Sequence, residues 1–194
     1  MTKLDTQNAT PGLGGIVTLC HHRWMVPLIA EIGQLGGARV AVLRARLNVS
    51  GPSLSRTLAA ARDADLVLPN PGYGHPLRPE YLLTPWGEVI ARSCQELMEL
   101  ARASTWTDLV SRKWTLPVLA AIASGCHRYG DIARALPAST PRALSLALEE
   151  LIRAGCVSRA LTEGRPPQSR YGLDPRGRRL AEVALTIAAT THLE

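Results

Sequence analysis

Tyr81-Leu-Leu83-Thr-Pro85-Trp-Gly87 returns ninety residues later as Tyr171-Gly-Leu173-Asp-Pro175-Arg-Gly177. In each place the string closes a two-stranded hairpin and opens a final helix. Working outward, the same offset links Trp24-Met-Val-Pro27 with Trp114-Thr-Leu-Pro117, Leu54 and Leu58 with Leu144 and Leu148, Val67 with Val157, and Pro76 with Pro166. Around Arg39-Val-Ala-Val-Leu43 and Arg128-Tyr-Gly-Asp-Ile132 the offset slips to 89, as a one-residue gap in a loop produces. A period of this length is too long for a solenoid unit, so the chain reads as two copies of one small domain. The expected layout is a flexible tail over 1–15, a first domain over 16–104 and a second over 105–194.

The totals set bounds. At 194 residues and 46% hydrophobic, the chain can bury two modest cores. No apolar run reaches the ~18 residues of a membrane span, and no leader pattern opens the chain, so a cytoplasmic protein is expected. Cys20, Cys94, Cys126 and Cys156 are far apart with no C-x-x-C, and read as free thiols. The net charge is +6. Of the 22 basic residues only Lys3 and Lys113 are lysines, leaving twenty arginines. Arginine's fork suits phosphates and guanine edges, which makes a polyanion a plausible partner. A GC-rich genome would also enrich arginine, and the two explanations stand side by side.

Each copy reads helix, helix, helix, hairpin, helix. In the second, Trp114, Val118, Leu119 and Ile122 sit at helical spacing up to the stop at Ser124-Gly125. A short helix follows over 129–136. Thr140-Pro141 is an N-cap followed by proline at the first helical position, and Leu144, Leu148 and Leu151 form one stripe behind it. Strands at 157–161 and 169–173 flank a Gly/Pro turn, and a last helix runs over 175–190. The first copy predicts helices at 24–35, 40–47 and 52–63, a hairpin at 66–83 and a last helix at 85–103. The last helix continues with a short break into the second copy, so two rigidly joined units are expected. The fold class is mainly α with small β-hairpins, an α+β arrangement of tandem winged helix-turn-helix domains.

Several residues sharpen this. Arg112-Lys113-Trp114, Arg128-Tyr129 before Asp131-Ile132, Leu151-x-x-Ala-Gly155-x-Val157 and the Tyr171 to Gly177 string together resemble the HxlR family of bacterial regulators. Arg23-Trp24, Arg39 with Leu43, and Pro79-Glu80-Tyr81-Leu-Leu-Thr84-Pro-Trp-Gly87 carry the likeness into the first copy. The resemblance implies a cytoplasmic transcription regulator that binds double-stranded DNA as a homodimer, with the first and last helices at the dimer interface. Two copies in one chain would supply both halves, giving a monomeric pseudo-dimer; pairing of two chains stays open.

In such a fold the third helix enters the major groove and the hairpin lies along the backbone. Ser55, Arg56, Arg142 and Ser145 are the expected base-reading residues, and Arg78, Arg159, Arg165 and Arg170 the backbone contacts. Ser53 and Thr57, and Leu146, Ala147 and Glu149, are placed on the same exposed faces. The arginines of the second hairpin and last helix also fit a merely solvated face. Trp24 and Trp114 read as core, and Tyr81 and Tyr171 as strand residues packing on the last helix. His21-His22 beside Cys20 lack further ligands at a recognisable spacing, so no metal is expected, nor any cofactor. Cys20, four residues ahead of Trp24, is a candidate redox sensor, and Cys126 is less defined. No phosphate loop, nucleophile elbow or carboxylate pair is present, so no catalytic residue is named.

The alternative is a small-molecule-binding protein that keeps the scaffold without specific DNA binding. Trp86 and Trp106, near the joint, would line an apolar cleft between the copies, and an effector displacing DNA would join the two readings. A protein-interaction module is the third.

Overall fold

The computed structural model describes residues 12–72, 79–163 and 167–190. Arg78 and Arg165, Pro76, Pro166, most of the expected tail and the terminal Leu193-Glu194 lie outside the described residues.

The chain opens with α1 (Gly14–Leu19) and α2 (Met25–Leu35), a two-residue strand β1 (Ala38–Arg39), then α3 (Val40–Leu47) and α4 (Gly51–Asp63). Strands β2 (Val67–Pro69) and β3 (Glu80–Leu83) and the long α5 (Pro85–Ala103) complete the first half. The second half runs α6 (Thr107–Val110), α7 (Thr115–Ala123), α8 (Tyr129–Ala135), α9 (Pro141–Arg153), β4 (Val157–Thr162), β5 (Gln168–Leu173) and α10 (Pro175–Thr190). The fold is mainly helical with two small antiparallel sheets. One has the order β1-β3-β2, with Arg39 opposite Glu80 and Val67 opposite Leu83; the other pairs Val157 with Leu173 and Thr162 with Gln168. Where β1 edges the first sheet, the second half has, among the described residues, a single bridge, Arg128 to Arg170.

Local chemistry fixes the element ends. Ser50, Thr84 and Thr140 each accept a hydrogen bond from the backbone N–H three residues on, which satisfies a donor that the first turn leaves orphaned. Each cap is followed by a proline in the first helical turn, where its missing N–H is harmless. α2 ends at Gly36 in the left-handed region (φ 66°), donating to Ile32 O, a turn that disfavours a side chain.

Two differences from the sequence reading concern the starts of the halves. Leu13 is only 4% exposed and Gly14-Gly15 open α1, so the fold begins inside the stretch expected to be tail. α6 likewise precedes the helix expected to open the second half. Both are too short to hold alone in water, and what holds them is burial: Ile16 and Leu19 in α1, Leu109 and Val110 in α6. The core differs too. The two expected cores are one continuous apolar cluster, because α5 packs on α10 and α1 packs on both α7 and α10. Arg179 to Glu96 (2.5 Å) and Arg23 to Asp108 (2.7 Å) tie the halves together at the surface.

The start of α5 lies tightly against the strand region ahead of it, as does the start of α10. A Cβ on Gly87 would collide with the Leu66 carbonyl, and one on Gly177 with the Cys156 carbonyl. Neither obstacle is a flexible side chain. Gly87→Ala and Gly177→Ala are each expected to destabilise the protein by roughly 2–3 kcal/mol. Thermal unfolding should register this as a fall of about 4–12 °C in Tm.

Candidate nucleic-acid interface

In the second half, α8 and α9 are held as a helix-turn-helix. Ile132 and Leu136 anchor α8 and its exit turn in the core, and Leu144, Ala147, Leu148 and Leu151 anchor α9. The Tyr129 hydroxyl donates to Pro141 O (3.0 Å) and joins the start of one helix to the start of the other. Arg112 pairs with Glu150 (2.6 Å) on the flank of α9. What α9 leaves to solvent is Pro141, Arg142, Ser145, Leu146, Glu149 and Arg153. α4 has nearly the same pattern of burial, with Leu54, Thr57, Leu58 and Ala61 inside and Pro52, Ser55, Arg56, Ala59, Arg62 and Asp63 outside.

The four expected base-reading residues, Ser55, Arg56, Arg142 and Ser145, are therefore all exposed on these two helices. Thr57 and Ala147 are not: both are 3% exposed and face inward. Thr57 can be buried because its hydroxyl donates to Ser53 O (2.9 Å). Arg62 and Arg153, absent from the sequence reading, extend the two exposed rows. Arg62 follows Ser55 by seven residues and Arg153 follows Glu149 by four, a helical spacing that would have found them.

The β4–β5 hairpin stands into solvent beyond Val157. Arg159 lies opposite Tyr171 and donates from Nε to Ser169 Oγ (2.9 Å), whereas Arg170 lies opposite Ala160. Directly paired residues share a face and neighbours alternate, so Arg159 and Arg170 occupy opposite faces of the ribbon. Glu149, exposed on α9, opposes any phosphate near it.

The two tryptophans expected to share a cleft are apart. Trp86 lines a cavity of about 620 Å³ between α1, the end of α4 and the start of α5. Its indole Nε1 is buried with no acceptor among the described residues. Trp106 is 7% exposed beside α9, with the Arg176 guanidinium 5.6 Å from its ring centroid. Trp24 and Trp114 are half-buried against the core, with Arg23 and Lys113 over their rings.

His21 and His22 meet edge to face at 5.3 Å. Burial, then His21 and then Arg56, lower the pKa of His22, so it is neutral at neutral pH. Among the described residues no group of three or more His, Cys, Asp or Glu is placed to hold a metal, and no helix is long and apolar enough to cross a membrane.

Cys20 is buried, and burial together with Cys94 raises its pKa far above the ordinary thiol range. Burial pushes Cys94 up to about 12, and burial pushes Cys156 up to about 11 against the opposing pull of Arg176. A thiol kept protonated and walled from solvent is a poor nucleophile, which argues against Cys20 as a redox sensor. Thiol titration with dithiobis-nitrobenzoate at pH 8 should label the half-buried Cys126 first. Cys20, Cys94 and Cys156 should react only when the chain is unfolded; rapid labelling of Cys20 in the folded protein would contradict the burial.

Helices α7 to α9 followed by the β4–β5 hairpin have the make-up of a winged helix-turn-helix. The HxlR-like helix-turn-helix family matches residues 109–192. The HTH-type transcriptional regulator sll1512 of Synechocystis is 30% identical over 97 residues, covering 50% of this chain and 72% of that protein. The HTH-type regulator YvaP of Bacillus subtilis is 32% identical over 76 residues (39% of this chain, 70% of the relative), and YdzF of the same organism is 36% identical over 76 (38% and 68%). No solved structure matches the chain significantly. The chain belongs to the HxlR-like helix-turn-helix family of transcriptional regulators.

Proposed function

We propose that this chain is a DNA-binding transcriptional regulator in which two winged helix-turn-helix units, 16–104 and 105–194, act as a single-chain pseudo-dimer. The observation that carries it is the exposed row Arg142, Ser145 and Arg153 on α9 beside a solvent-borne hairpin, inside the segment that matches the family. Support for a paired unit comes from the element order, which runs α, α, β, α, α, β, β, α in the first half and differs in the second only by a bridge in place of β1. The seam supports the pseudo-dimer. α5 packs on α10, α1 packs on α10 and α5 packs on α6, so the first helix of each half meets the last helix of the other. That reciprocity is what a two-fold interface requires.

In this reading Ser55, Arg56, Arg142 and Ser145 contact base edges, with Arg62 and Arg153 extending the contact. Arg159 or Arg170, with Arg78 and Arg165, holds phosphates, which position the protein without specifying sequence. The two reading helices are not chemical copies. Where α4 carries Arg56, α9 carries Leu146; where α9 carries Arg142, α4 carries Pro52. An operator with unlike half-sites follows. An effector that releases DNA fits the cavity at Trp86, the specific observation that also favours the small-molecule reading.

Gel shifts on the DNA upstream of the chain's own gene test the proposal. A specific complex should form and weaken steeply with salt, as expected for binding driven by phosphate contacts. Arg142→Ala and Arg56→Ala should each weaken it by roughly 5- to 100-fold, the worth of one good base contact. Binding no tighter than to random duplex would overturn the reading. Light scattering of the complex should give one chain per operator; two chains per operator would overturn the pseudo-dimer while leaving the regulator.

A further inference from the structure

The cavity at Trp86 has a counterpart ninety residues on. Trp106, Arg112, Glu150 and Arg153 line a smaller hollow of about 260 Å³ beside α6 and α9. There the side chains complete one another, for Arg112 pairs with Glu150 and Arg176 lies over the Trp106 ring. At the matching places of the first half stand Ile16 for Trp106, His22 for Arg112, Ala60 for Glu150, Asp63 for Arg153 and Trp86 for Arg176. Every cation of the second-half cluster has been lost. What remains is an apolar hollow walled by Val17, Leu19, Leu66 and Ile90, with Asp63 and Asp65 among its lining residues. Neither carboxylate has a cationic partner among the described residues, and none of those residues places a cation over Trp86.

We propose that this cavity is a binding site for a hydrophobic organic cation. Its apolar body fills the space between α1, α4 and α5. Its positive charge lies toward Asp63 and Asp65 and on the Trp86 face, supplying from outside what Arg112 and Arg176 supply within the other half. A volume of about 620 Å³ suits a drug-sized molecule. The two carboxylates in the lining disfavour an anion; His22 is neutral at neutral pH, and Arg56, the cation near it, is not among the lining residues. Since Ala60 and Asp63 line the cavity from α4 and Ala64 from its C-cap, occupancy bears on the helix that carries Ser55 and Arg56. That regulatory consequence rests on the DNA-binding reading; the binding itself does not.

The test uses the full chain and two dyes sharing one ring system, rhodamine 6G (cationic) and fluorescein (anionic), followed by fluorescence anisotropy. Rhodamine 6G should bind saturably and fluorescein should not. Asp63→Asn, an exposed position that leaves the fold intact, should weaken rhodamine 6G about threefold to fivefold, the worth of one exposed charge pair. His22→Arg combined with Ala60→Glu, which installs the ion pair of the second half, should reduce binding at least ~tenfold, with thermal unfolding confirming that the variant is folded. The proposal is overturned by absence of saturable binding to the folded wild-type chain, by equal binding of fluorescein, or by Asp63→Asn and the folded double variant both binding as the wild type does. A chain that binds the dye but no DNA upholds the site and overturns the regulator reading instead.

Discussion

α5 and α10 lie against each other, and each carries a run of residues withdrawn from water: Ile90, Cys94, Leu97 and Ala101 on the first, Leu180, Ala184 and Ile187 on the second. Removing such side chains from water is worth on the order of 1.5–3 kcal/mol for each large one, and the gain has no directional demand. Direction comes from elsewhere. The tight approach at Gly87 and Gly177 fixes where each helix starts, and the Thr84 hydroxyl, which caps α5 and donates to Asp65 O, locks one of those starts to the end of α4. From this frame hang α4, α9 and the strands that follow each.

The halves share architecture more than chemistry. Burial along α4 and α9 coincides almost residue for residue, yet their outward faces differ at Arg56 against Leu146 and Ala59 against Glu149. Buried positions are constrained by packing density, so they tolerate little change. Exposed positions are free of that constraint and can diverge. The same contrast separates the small, ion-paired hollow beside Trp106 from the larger one beside Trp86, which lacks such a pair.

Much of the fold was legible in the sequence, because helices of seven to nineteen residues have room for a period, a cap or a stop. α2 to α5 and α7 to α10 fall within a residue or two of their expected bounds. α1 and α6 were illegible because a helix of six or four residues carries no period, and only their tertiary burial stabilises them. Of the candidate site, exposure at Ser55, Arg56, Arg142 and Ser145 followed from stripe geometry. Thr57 and Ala147 went astray because a hydroxyl and a methyl do not declare which side of a stripe they join; the bond from Thr57 to Ser53 O decides the first. Trp86 and Trp106 are neighbours of the joint in sequence, but each is turned into its own half, and that distinction requires three dimensions.

Between the end of α5 and the start of α6 lie only Ser104, Thr105 and Trp106, with Thr105 in a left-handed turn (φ 59°) and Trp106 sunk into the core. A connector this short, pinned at one end, leaves no slack. For a duplex that spans both α4 and α9, the protein is then a caliper with locked jaws. Adding half a helical turn of DNA between the contacted segments would rotate one of them to the far side of the duplex, and no bending of the connector could follow it.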